Sequence, residues 1–185
     1  MRTKGHHTCT KNGGREHVEK ESPFFAKHDP DKKKYQFLGS GYYFWDDNIE
    51  LAKVWGYSHC KNDYFVVEID IELTEDTCLD LVGNRRHMMF FAAVMEKLRK
   101  EKGISKSEWT ISQCIEFLKR LSKDNISIFP YKIIRAIDYN DDFKQKVAKF
   151  VKDKGNFTTL SPKMVICVIE KKMLPLHTKR IIHES

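Results

Sequence analysis

Two short stretches carry side chains that could do chemistry. Residues 5–9 read GHHTC, two imidazoles and a hydroxyl in one run. A histidine can hold a ribose hydroxyl, pass a proton or bind a metal. On a strand, His6 and Thr8 would share a face and His7 would point away. A polar terminus whose histidines are satisfied by backbone fits the same letters. Residues 39–47 read GSGYYFWDD. Gly39 and Gly41 permit a positive φ or a close backbone approach. A strand over the aromatics would send alternate rings to opposite sides. Tyr43 could then stack on a flat ligand while Tyr42, Phe44 and Trp45 pack inward. A strand end with every ring in the core is the other reading. Asp46, Asp47 and Asn48 stand where a helix begins and offer N-caps, so capping explains the acid doublet cheaply.

A third feature is charge. Between residues 85 and 123 there are ten Lys or Arg against four Glu, an excess of six. Such a belt could track phosphates, and two solvated helix faces would look the same. The formal net charge is +7 and the sequence pI about 9.1, which favours nucleic acid, nucleotides or an acidic protein as partners. Several enzyme classes lack their signatures: there is no Walker A loop, no HExxH and no GxSxG. A metal-dependent hydrolase on His6, His7, His17 and a carboxylate has no supporting spacing.

These groups need elements to position them. The 185 residues suit one domain, and a hydrophobic fraction of 41% suffices for a core. Five cysteines, at 9, 60, 78, 114 and 167, include no CxxC pair. Reduced thiols and a cytoplasmic protein are therefore expected, without a cysteine-built zinc site. MRTKGHHTC has no apolar run, so no signal peptide is expected. The longest apolar run, around 88–95, is too short to span a bilayer.

The first 38 or so residues are polar and basic with little periodicity, and 29–34 reads as a loop. Ile49, Ala52 and Trp55 predict a short helix over 47–58, and YFVVEIDI over 64–71 alternates as a half-buried strand. A strong helix is expected over 86–102, stopped by Gly103. Ser105 and Glu108 have capping-box spacing ahead of a second helix with Ile111, Ile115, Leu118 and Leu121. Residues 131–137 read as a strand. Phe143, Val147 and Phe150 or Val151 suggest a third helix closed by Gly155. MVICVI at 164–169 fits a strand covered on both faces. The sum is one α+β domain with a mostly antiparallel or mixed sheet. No glycine-rich turn between a clear strand and a helix supports a dinucleotide-binding Rossmann unit.

Taken together, HxT, a gap of some thirty residues, LGSGYYFWDDNIELAKVWG and a strand ending near CLDL resemble the ADP-ribosyltransferase fold, in its diphtheria-toxin and PARP-like branch. There a histidine motif of the form YHGT opens the first strand, and a motif close to LGxGIYFxxDxxxAxxWA supplies a tyrosine. The resemblance covers residues 38–81 best. It implies a single domain over 1–185 with a helical insertion at about 86–125. It also implies NAD as substrate and transfer of ADP-ribose to a macromolecular acceptor, either nucleic acid or protein. Residue by residue, it carries catalytic roles to His6 and Tyr43. NAD binding would fall to His6, His7, Thr8, Gly41, Tyr42 and Tyr43, with no metal. His7 replaces the usual glycine of the motif. The late-strand glutamate of the family is missing: Lys163 or Val165 stands there, and Glu170 lies further along. Small basic members are often toxins of toxin–antitoxin or phage-defence systems, which would add a neutralising partner. The missing glutamate and the basic belt also suit a non-catalytic RNA- or protein-binding module on this fold.

Overall fold

Seven strands form one sheet in the order β4-β5-β8-β2-β1-β3-β9, and every pairing in it is antiparallel except β4–β5. The computed structural model describes residues 1–103, 110–138, 147–152, 155 and 157–185. The strands are β1 (Arg2–Thr10), β2 (Tyr42–Asp46), β3 (Tyr64–Glu72), β4 (Cys78–Asp80), β5 (Ile133–Ile137), β8 (Met164–Val168) and β9 (Arg180–Glu184). A separate hairpin joins β6 (Val147–Lys149) to β7 (Phe157–Thr159). The helices are α1 (Gly14–Glu21), α2 (Ile49–His59), α3 (Arg85–Lys102) and α4 (Ile111–Leu121). The α+β class with a mostly antiparallel sheet is thus observed. No described helix is long and apolar enough to cross a membrane.

Alternation along the strands builds a core on each face. Phe44, Val67, Ile69, Ile133, Ile166 and Val168 pack with Val18 of α1 on one face. Leu79, Ile134, Ala136, Val165 and Cys167 pack with α3 and α4 on the other. MVICVI is apolar throughout because its strand, β8, is central and both faces are covered. On the helical face, α2 lays Ala52 against Tyr64 and Val66 of β3.

Local chemistry sets the ends. Gly103 closes α3 in the left-handed region at φ 60°, as expected of a C-terminal glycine. The capping box of α4 is Thr110 with Gln113; Ser105 and Glu108 lie outside the described residues. Asn48, one residue beyond the acid doublet, caps α2 by accepting from the Leu51 N–H. Asp46 is no cap: it is 3% exposed and pairs with Arg135.

One expectation fails late in the chain, and the N-terminal segment holds more regular structure than its weak periodicity displays. The polar N-terminal segment contains a nine-residue strand, β1, and an eight-residue helix, α1. The alternation of β1 is masked because Gly5 and His7 occupy its inward face beside Cys9. The third helix is replaced, over its described residues, by β6 pairing with β7. Phe150 and Val151 are exposed. Gly155 lies between the hairpin strands, and the earlier part of that stretch, including Phe143, Asp141 and Asp142, lies outside the described residues.

Candidate functional site

Strands β1 and β2 pair over only Gly5–Asp46 and His6–Trp45 and then part. Beyond that point β2 takes a new neighbour, since Ala26 and Gly41 exchange both backbone hydrogen bonds. The split leaves a cavity of about 300 Å³ whose walls include His6, Tyr43, Trp45, Trp55, Asp138 and Val165. His7 and Thr8 also reach it, whereas Gly41 and Tyr42 do not. A second cavity of about 430 Å³ runs toward the start of α4. The two share Tyr35, Gln36 and Phe37 as a common wall.

His7 fills the fork of the split. Its Nδ1–H donates to the Tyr43 carbonyl at 2.9 Å, and its Nε2 accepts from the Phe24 N–H at 3.2 Å. A neutral ring satisfies both contacts, and burial pulls its pKa down to about 4. Thr8 donates to the Ala52 carbonyl at 2.8 Å and so anchors α2. Both residues of the HxT neighbourhood therefore hold scaffold.

His6 differs. Its ring is 5% exposed and its Nε2 lies 3.2 Å from Glu68 Oε2, while Nδ1 is buried without a partner. Burial opposes ionisation of Glu68. Hydrogen bonds from Arg180, Lys4 and His6 outweigh it and hold the carboxyl below the usual carboxylate range. Glu68 is then an acceptor, so the His6 Nε2–H donates to it.

Tyr43 lines the cavity with its ring and uses its hydroxyl elsewhere. The O–H donates to the Gly39 carbonyl at 2.6 Å and accepts from the Leu38 N–H at 2.8 Å. Burial pushes the phenol above its ordinary pKa. The glycine turn is further held by α4, since Glu116 accepts from the Ser40 N–H at 2.6 Å and Lys119 donates to the Ser40 carbonyl at 3.0 Å. Gly39 has φ +77°, and a Cβ on Gly41 would sit 2.4 Å from the Cys167 sulfur. Their absent side chains thus serve the turn and its contact with β8. The N–H groups of residues 38, 39, 40 and 41 all donate within the protein, so this turn is no phosphate cradle.

Removing the Tyr43 hydroxyl tests that bracing. Tyr43→Phe is expected to lower stability by about 1–3 kcal/mol, because it strands the N–H of fully buried Leu38 and the Gly39 carbonyl. Chemical denaturation measures it; an unchanged midpoint would show that the hydroxyl bonds carry nothing.

Trp45, expected to pack inward, shares the face of Tyr43 two residues away and lines the cavity. It meets Trp55 at 6.3 Å between ring centroids, and Trp55, 43% exposed, stacks on His59 at 3.7 Å. Tyr42 faces the opposite core, with Phe25 edge-on at 5.3 Å. Val165 is the late-strand residue that reaches the cavity, through its pairing with Trp45. Lys163 is buried. Glu170 pairs with Lys132 and Lys172, each at 2.7 Å.

His17 stacks on Phe24 at 5.6 Å. Among the described residues, no three His, Cys, Asp or Glu side chains are arranged to hold a metal ion. All five cysteines are free, and burial pushes the thiols of Cys9, Cys78 and Cys167 up to about 12, far from nucleophilic range. The basic belt is partly compensated: Arg86 pairs with Glu75, Lys97 with Glu101, Lys100 with Glu96 and Lys119 with Glu116.

Comparison with known proteins gave no matching family model, no matching curated protein and no matching solved structure.

Proposed function

We propose that the chain is an NAD-dependent mono-ADP-ribosyltransferase that moves ADP-ribose to a macromolecular acceptor. The reading rests on one observation: the His6–Trp45 pairing brings the HHT and GYYFW stretches, far apart in sequence, onto one cavity. About 300 Å³ lies at the small end of ligand pockets and suits a nicotinamide ring with part of its ribose. The adjoining cavity along Tyr35–Phe37 gives the rest of the dinucleotide a path.

Tyr43 and Trp45 supply flat walls for the ring. His6, which lines the same cavity, is the histidine that would hold a ribose hydroxyl. In the reaction the bond between ribose C1′ and the nicotinamide nitrogen breaks, and its electron pair stays on that nitrogen. Cationic nicotinamide leaves neutral, so no acid need protonate it, and C1′ passes through an oxocarbenium-like state. The +7 charge favours nucleic acid slightly over protein as acceptor. An effector of a toxin or defence system, acting in the cytoplasm and restrained by a neutralising protein, is the setting that fits this reading.

The test incubates the protein with adenine-labelled NAD and cell extract, followed by nuclease or protease digestion of the labelled product. Label on a macromolecule, reduced at least about tenfold in His6→Ala, is the expected result. No label and no released nicotinamide would overturn the proposal.

A further inference from the structure

Several cavity residues have no polar atom left for a ligand. Both nitrogens of His7 are held by backbone, Thr8 donates to Ala52, and the Tyr43 hydroxyl is used twice. What remains includes a single acidic side chain among the described lining residues, that of Asp138. Asp138 is half-buried, and its carboxylate makes no hydrogen bond or ion pair among the described residues.

Its position is set by the sheet. Ala136 of β5 pairs with Val165 of β8, and the Asp138 N–H donates to the Lys163 carbonyl at 2.8 Å, which carries the register one step past the strand end. Two residues beyond Ala136, Asp138 lies on the same face as Ala136 and Val165, the face that opens into the cavity. Asp138 is thus a carboxylate without a partner among the described residues, beside a wall rich in aromatic side chains, and is available to a ligand.

We infer that Asp138 is the catalytic carboxylate of this cavity, a role that rests on the transferase reading above. The acceptor group gives its electron pair to ribose C1′ as the bond to nicotinamide breaks. The proton that the acceptor then loses passes to the Asp138 carboxylate. Nicotinamide departs neutral, so charge and protons balance without another reactant. The carboxylate charge also favours the cationic C1′ state.

The experiment compares the full chain with Asp138→Asn and Asp138→Ala, following nicotinamide release, label transfer and NAD binding by calorimetry. Both variants should melt with the parent, because the side chain has no partner to lose among the described residues. The expected result is a fall in kcat of about 100-fold or more, with the NAD dissociation constant changed less than about threefold. Glu170→Gln, outside the cavity, should match the parent. An active parent with Asp138 variants within about twofold of it would overturn this inference and leave the transferase reading standing. A loss confined to NAD affinity, with kcat intact, would likewise reduce Asp138 to a binding group and overturn its catalytic role. An inactive parent would overturn the transferase reading itself, and the inference with it. If Asp138→Asn misfolds, Asp138→Ala decides.

Discussion

Asp46→Ala lowers the stability of the folded protein by about 3–5 kcal/mol, the cost of breaking a buried ion pair from one side. Asp46 is 3% exposed, with Arg135 Nε at 2.6 Å from one carboxylate oxygen and the Thr3 hydroxyl donating at 2.5 Å to the other. The contact joins β1, β2 and β5, and Asp80 at the end of β4 adds a weaker approach to Arg135 at 3.5 Å. With Asp46 gone, a guanidinium whose side chain is 11% exposed keeps that longer contact and a weak bond to the Met164 sulfur at 3.4 Å. Asp46→Asn preserves the shape and part of the hydrogen bonding, so a smaller loss is expected. Urea titration of the three proteins measures the series. A loss near 1 kcal/mol for Asp46→Ala is what a helix cap would give, and it would show that the ion pair is not a structural tie.

Acidification should act through His7. The folded state holds this imidazole neutral, with a pKa pulled from 6.5 to about 4, first by burial and in smaller part by Lys171, against the opposing effect of the Tyr43 carbonyl. Above pH 6.5 the ring is neutral whether folded or unfolded, and His7 imposes no penalty. Below it the unfolded chain takes a proton that the folded chain refuses. Stability therefore falls as pH drops from about 6.5 to about 4 and levels off below that for this group. A gap of about 2.5 pH units at about 1.4 kcal/mol each gives a loss of roughly 3 kcal/mol. The carboxyls of Glu68, Glu116 and Glu170 are also held below their ordinary 4.5 and lose their contributions only at lower pH, so the upper part of the window belongs to histidine. Denaturation midpoints from pH 7 to 4.5 measure the slope. His7→Gln should start from a lower stability at pH 7 and show a flatter decline. An unchanged slope would place the acid sensitivity on another group.

The fork that His7 occupies connects these effects to the cavity. Protonation adds its proton at Nε2 and so removes the bond from the Phe24 N–H, which disturbs first the junction of β1, β2 and the 24–26 segment. That junction is also where the cavity opens.

Periodicity along the chain determined much of the frame. Ile49, Ala52 and Trp55 marked α2, the alternation of YFVVEIDI marked β3, Gly103 marked the end of α3, and an unbroken apolar run marked β8. Each of these signals is local, because the face an element buries is written in its own residue spacing. Tyr43 could be singled out in the same way, since alternation separates it from Tyr42 and Phe44. Trp45 was open to the same reasoning, sharing Tyr43's period, and its aromatic bulk disguised it as core.

Tertiary structure decided the rest, for reasons of long-range pairing. That Asp46 meets Arg135 depends on β2 and β5 both flanking β8, which residue spacing near Asp46 does not encode. That His7 is a wedge with both ring nitrogens held by backbone follows from where the β1–β2 ladder stops, a property of two strands together. That acid reaches the cavity from β5, while β8 offers only Val165, depends on register carried one residue past a strand end. The sequence by itself marked His6, Thr8 and Tyr43 as chemical candidates, while Asp138 carried no local signal. Which of them keep an unused polar atom depended on every hydrogen bond the fold had already made.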